Sequence, residues 1–235
     1  LTIKEGKNER PVHENGSIDF SDAETEITVS GSGFEYKYDK LKGIFTKLTE
    51  AVNSPLEWNI WRAPTDNDRV IRIEWEKAGF DRAYTRAYNT SVQKSDNSVV
   101  INTTLAVVSL IVQRIVDIEA QWTIYADGTI ALKASCKTDK DMPFLPRFGL
   151  RMHICSCMDN VEYFGYGPYE SYIDKHLASY PAVFGSTVDM LHEDYIKPQE
   201  NGSHCGIKYV KLSGNNHEVD VWGNNLSFNA SHYTQ

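Results

Sequence analysis

An all-β protein is predicted, one antiparallel sandwich of short strands with a single short helix. Three observations predict it. Short runs alternate apolar and polar side chains and are separated by turns rich in Gly, Asn and Asp. Only residues 69–79 carry helical spacing. Finally, 13 tyrosines, 9 phenylalanines and 5 tryptophans supply the bulky side chains that pleated sheets accommodate. With 235 residues, 41% of them hydrophobic, the chain can bury one large β domain or two small ones. A single sandwich over 1–235 is expected, cut from a longer protein at both ends. The reasons are that LTIKEGKNERP has neither Met nor a leader pattern and that LSFNASHYTQ stops while reading as a strand entering a turn.

Residues 17–48 read as four strands, SIDF, TEITVSG, FEYKY and GIFTKL. In FEYKY, Phe34, Tyr36 and Tyr38 share one face while Glu35 and Lys37 take the other, so that sheet has one wet face. Gly31-Ser32-Gly33 leads into it, and Asp39 to Gly43 forms a hairpin-like connection out. WNIWRAPTDNDR at 58–69 follows, with Trp58 and Trp61 as apolar anchors and Pro64 holding Ala63 out of the helical region. Asp66 or Asp68 is placed to cap the helix 69–79, which shows Val70, Ile73, Lys77 and Ala78 on one face and stops at Gly79. From residue 98 strands return as SVVINTTLAVV, LIVQRIVDIEAQWTIYA and TIALKASCKT, with Asp127-Gly128 the strongest hairpin signal. Pro143, Pro146 and Gly149 break the chain before a strand over LRMHICSCM. VEYFGYGPYESYIDK is a strand opening into a loop rich in Gly and Tyr, and YIKPQENGSHCG turns at Pro198, Asn201 and Gly202 into a further strand.

The charge balance narrows the function classes. Lys and Arg number 24 against 32 Asp and Glu, a net charge of −8, so neither a nucleic-acid nor a membrane partner is expected. No run has the apolar length of a membrane span. Cys155 and Cys157 share a strand face at a separation poorly suited to a mutual disulfide. His153, Cys155 and Cys157, with His204 and Cys205, lack the tight CxxC spacing of zinc sites. Buried thiols in a reducing, cytoplasmic compartment are therefore expected, and no metal.

Three stretches carry chemistry. The Arg62 fork suits a carboxylate at Asp66 or Asp68, either as a structural knot that neutralises its neighbours or as part of a site. The loop 163–175 gathers Tyr166, Tyr169, Tyr172, Glu170 and Asp174, aromatic faces and carboxylates of the kind sugars bind, or else anchors that tie the loop to a sheet. Glu200 and His204 are the polar candidates of the third stretch.

In these stretches the chain resembles the C-terminal domain of the large bacterial β-galactosidases of glycoside hydrolase family 2. WRAPTDND at 61–68, YFGYGPYESYIDK at 163–175 and PQENGSHCG at 198–206 occur in the family's order, supported by SFNASHYT at 227–234. The likeness runs from about residue 17 to the end. It implies a galactose-mutarotase-like β super-sandwich that packs on a catalytic (β/α)8 barrel and other domains of the parent chain. Retaining hydrolysis of terminal β-galactosides would then use two barrel glutamates, leaving no catalytic residue in this chain. The resemblance places Arg62, Asp66, Asn67, Asp68 and Arg69 at the pocket mouth or docked on the barrel. Tyr166, Tyr169, Glu170 and His204 form a weaker sugar surface. Val70 stands where relatives often have glycine, which implies a rigid rather than a hinged loop. A homo-oligomeric parent with Mg and Na is implied, with no cofactor in this part, and the aromatic sugar platform of the family lies beyond Gln235. The competing reading is a stand-alone carbohydrate-binding or mutarotase-like domain in which Glu170 and His204 move protons.

Overall fold

The computed structural model describes residues 12–52, 55–112 and 114–233, and the reading of residues 1–11 lies outside them. Where one sandwich is expected, the described residues cluster into two compact units: 12–62 with 67–153, and 63–66 with 154–233.

The first unit opens with β1 (Ile18–Asp22), β2 (Glu26–Gly31), β3 (Phe34–Asp39) and β4 (Ile44–Lys47), the four strands the alternation predicts, paired antiparallel in that order. Register pairs Ile27 with Tyr38 and Val29 with Tyr36, which puts the apolar positions of both strands on one face. Ile27, Val29, Tyr38 and Phe45 are all fully buried. Next come β5 (Glu57–Asn59), α1 (Ile71–Ala78), β6 (Tyr84–Ser95), β7 (Ser98–Val108), β8 (Val116–Tyr125), β9 (Ile130–Thr138) and β10 (Gly149–Arg151). Strands β6 to β9 make a second four-stranded sheet, and β5 pairs with β10. The inward residues of β7 and β8 join those of β2 to β4 in one core. Across it Tyr38 Oη meets Thr103 Oγ1 at 2.8 Å and Phe45 stands edge-on to Trp122 at 5.2 Å.

The helix forms where expected but buries another stripe. Val70 and Ile73 are exposed, whereas Trp75 and Ala78 are buried and Ile71 is partly covered, the i, i+4, i+7 positions of one face. Neither Asp66 nor Asp68 is its N-cap; Val70 is, and Asp66–Asp68 forms a 3-10 turn instead. Gly79 ends the helix at φ 76°, its N–H returning to the last turn.

The second unit carries β11 (Asn160–Gly167), β12 (Tyr180–Thr187), β13 (His204–Gly214) and β14 (His217–Phe228), ordered β12-β11-β13-β14 and antiparallel throughout. Its core is Val161, Tyr163, Val188, Leu191, Ile207 and Val210, flanked by Phe184 and Phe228. The all-β class stands, as antiparallel sheets of sandwich type with one α-helix among the described residues.

The strand expected over LRMHICSCM ends at Arg151. Residues 155–158 turn instead, with the Met158 N–H on the Cys155 carbonyl at 3.0 Å. That turn corrects the reading of the cysteines, because Cys155 and Cys157 are joined in a disulfide with Cα atoms 5.2 Å apart. In a strand they would stand about 6.6 Å apart with parallel side chains. Cys136 and Cys205 are free. Among the described residues no helix is long and apolar enough to cross a membrane, and no three His, Cys, Asp or Glu side chains are grouped to hold a metal.

Candidate functional site

The first motif is divided between the units. In the first unit Arg62 grips Asp68 with both arms, Nη1 to Oδ2 at 2.6 Å and Nη2 to Oδ1 at 3.1 Å, while its Nε donates to the Pro146 carbonyl at 3.3 Å. Its guanidinium also lies 5.6 Å from the Trp75 ring centre. Asp68 is 7% exposed, so the pair is a buried fork-to-fork contact, and of the two candidate partners Arg62 takes Asp68.

In the second unit residues 63–66 lie along the third motif. The Ala63 carbonyl accepts the Glu200 N–H at 3.3 Å, the Asp66 N–H donates to Gln199 Oε1 at 3.3 Å, and Lys197 Nζ reaches Asp66 Oδ1 at 2.7 Å. Arg62 and Asp68 of the motif are thus held by internal bonds, while Asp66, Asn67 and Arg69 are exposed.

The tyrosine-rich loop is organised by one carboxylate. Glu170 is buried and accepts hydrogen bonds from Lys175 Nζ, from the Tyr195 hydroxyl, from Tyr172 Oη at 3.4 Å and from the Gly202 N–H at 2.9 Å. Lys175 Nζ also donates to Tyr195 Oη at 2.9 Å. Burial pushes the Glu170 carboxyl up, but the bonds from Lys175, Tyr195 and Gly202 and the Lys175 charge more than offset it and hold it below the ordinary range. The hydrogen bond to Glu170 raises Lys175 in turn, and burial beside Glu170 raises the Tyr172 phenol. Gly202 reaches the carboxylate from φ +66°, and a Cβ there would stand 2.4 Å from the Leu191 carbonyl oxygen. One anion therefore joins the loops at 169–175, 195 and 202.

Glu200 is likewise buried and takes the Asn229 amide at 2.8 Å. His204 is 1% exposed, with its ring 4.6 Å from Tyr163 and 5.4 Å from Phe228 and its Nδ1 3.2 Å from the Tyr166 carbonyl oxygen. Burial lowers its pKa, so it is a neutral core imidazole at pH 7. The Tyr166 ring stands edge-on to His176 at 5.5 Å, while Tyr169 is exposed. Tyr169, Glu170, Asp174, Lys175, Leu177 and Tyr195 are among the residues lining an open cleft of about 610 Å³. Sequence reasoning named Glu170 but missed Lys175 and Tyr195. Lys175 lies five positions on in the same loop and was legible as a partner; Tyr195 is 25 positions away and had no local signal.

Fold and site together define an antiparallel β module whose buried carboxylates tie loops together. A sequence model described as "Beta galactosidase small chain" matches residues 30–235, and the chain belongs to that family. It is 42% identical to a β-galactosidase of Actinobacillus pleuropneumoniae over 94% of this chain and 22% of that protein. Against the β-galactosidase of Staphylococcus xylosus it is 36% identical over 75% of this chain and 18% of the relative. Against that of Streptococcus thermophilus the figures are 34%, 72% and 16%. The chain spans about a fifth of the length of these curated relatives.

Proposed function

We propose that this chain is the supporting β domain of a β-galactosidase. In the whole protein terminal β-galactosides are hydrolysed by a pair of carboxylates on a separate (β/α)8 barrel, and this chain packs on the barrel and shapes the mouth of the sugar pocket. One observation carries the reading: 42% identity spread over 94% of this chain falls on only 22% of the relative. The buried carboxylates support it. Asp68 is held by Arg62, Glu170 by Lys175, Tyr195 and Gly202, and Glu200 by Asn229, which are structural roles rather than those of an acid and a nucleophile facing a glycoside. Asp66, Asn67 and Arg69, on the exposed half of the first motif, are the residues that dock or line the mouth. Mg and Na, with a homo-oligomeric state, belong to the proposal for the whole enzyme.

A mutarotase-like exchange between Glu170 and His204 is disfavoured, because His204 is buried in the core and the Glu170 carboxylate is engaged by Lys175, Tyr195 and Gly202. Hydrolysis of a chromogenic β-galactoside, run on this chain alone and on the full-length parent, tests the reading. Activity in the parent only is expected. Turnover by the chain alone, or none by the parent, overturns it.

A further inference from the structure

The cleft beside Glu170 has a rim that a solvent-facing surface does not explain. Ile173, Leu177 and Ile196 are 89%, 99% and 106% exposed, and Tyr169 is 63% exposed. Tyr169 and Leu177 line the cleft, while Ile173 and Ile196 adjoin its lining residues Asp174 and Tyr195. Aliphatic side chains exposed singly are ordinary; several around one concavity mark a place where another surface sits.

These side chains are not on slack loops. Glu170 holds Lys175 of its own loop and, from the loop before β13, both the Tyr195 hydroxyl and the Gly202 N–H, and Tyr172 and Lys175 exchange backbone hydrogen bonds at 2.9 and 3.1 Å. The rim is therefore preorganised, which lowers the entropy lost when it is covered. The cleft, about 610 Å³, has room for several side chains of an incoming segment.

Charge narrows the occupant. Asp174, Glu193 and Asp194 also line the cleft, and the Lys175 ammonium is engaged by Glu170. A second copy presenting the same rim would set these acids against each other, whereas a segment with basic and apolar side chains complements them. The relatives are about five times as long as this chain, so polypeptide to supply that segment is at hand.

We propose that Tyr169 and Leu177, with Asp174, Glu193 and Asp194 of the same cleft and the exposed Ile196 next to its lining in sequence, form a docking surface for a segment of the parent polypeptide outside this chain that carries apolar side chains and at least one Arg or Lys. The proposal rests on the reading of this chain as one domain of a larger β-galactosidase. It goes further by assigning the contact to the 169–179 and 193–196 loops as well as to the first motif.

Amide hydrogen exchange followed by mass spectrometry tests it on two samples, this chain alone and the full-length parent. Peptides covering 173–178 and 194–197 should exchange at least tenfold more slowly in the parent. Leu177→Asp with Ile196→Asp should abolish that slowing, and both substitutions fall on fully exposed positions, so the unfolding midpoint of the isolated chain should not move. Asp174→Lys should weaken the slowing. Equal exchange in the two samples overturns the docking surface, as does slowing that survives the double substitution. Slowing that appears in the isolated chain as its concentration is raised assigns the surface to a second copy and overturns the proposal. Galactoside hydrolysis by the same full-length sample reads the other proposal separately: an active parent with unprotected loops refutes this surface alone.

Discussion

Replacing Arg62 by Ala removes two charge-assisted hydrogen bonds to Asp68, one bond to the Pro146 carbonyl and a cation–π contact with Trp75. The lost attraction is the smaller part of the damage. Asp68 is 7% exposed, and removing the cation of a buried ion pair costs about 3–5 kcal/mol. With a urea m value of about 3 kcal/mol/M, that shifts the midpoint down by about 1 M or more. Tryptophan fluorescence reads it well, because Trp58, Trp61, Trp75 and Trp122 all belong to the unit that holds the pair and only Trp222 belongs to the other. The double variant Arg62→Ala with Asp68→Asn separates the causes. If the uncompensated charge of the buried carboxylate is the main penalty, neutralising it recovers a large share of the loss, and the two substitutions are strongly non-additive. Arg62→Lys should recover only part, since an ammonium cannot reproduce the two-armed contact. An unchanged midpoint for Arg62→Ala, or a double variant as unstable as the sum of the singles, refutes the reasoning.

The Glu170 network gives a pH signature. Because Glu170 is held below its ordinary value of 4.5 in the folded chain, the unfolded chain takes up the proton first as pH falls. Its contribution is therefore complete above the unfolded value and is lost as pH drops through the folded one. Thermal melts of the wild type and Glu170→Gln should differ at pH 7 and converge toward pH 3; a gap independent of pH refutes this. Gly202→Ala forces a side chain into φ +66° and against the Leu191 carbonyl, at a cost of about 1–3 kcal/mol. A thermal midpoint lowered by about 2–4 °C per kcal/mol is expected, and an unshifted melt would show that the turn has another conformation.

Strands with one face in the core are legible, as are the edge strands β1, β4 and β9, which follow clear turn signals; β6 and β12 are not. β2 and β3 alternate because each has one buried and one wet face, and their limits match the reading to within a residue. β6 and β12 are each the outermost strand of a sheet, with no buried position in either, so no strong apolar period marks them. The helix was found from its spacing and its glycine stop, yet its buried face was misjudged because Val70 and Ile73 read as apolar whether or not anything covers them. The Cys155–Cys157 bond escapes the sequence for a related reason: the run favours extended backbone, and a local turn overrides that preference.

The all-β class, the helix after the first motif, the hairpin at Asp127-Gly128, the acidic balance and the three motifs shared with the β-galactosidases are all readable from the chain before it folds. Each depends on neighbours a few positions apart, where side-chain period and turn chemistry act directly. Packing over long range settles that Arg62 takes Asp68 rather than Asp66, that His204 is a neutral core ring, and that Glu170 gathers Lys175, Tyr195 and Gly202 from two loops. A buried charge must be met by whatever donors the packed loops bring within about 3 Å, and which donors arrive depends on sheet register and loop packing far from the charge in sequence.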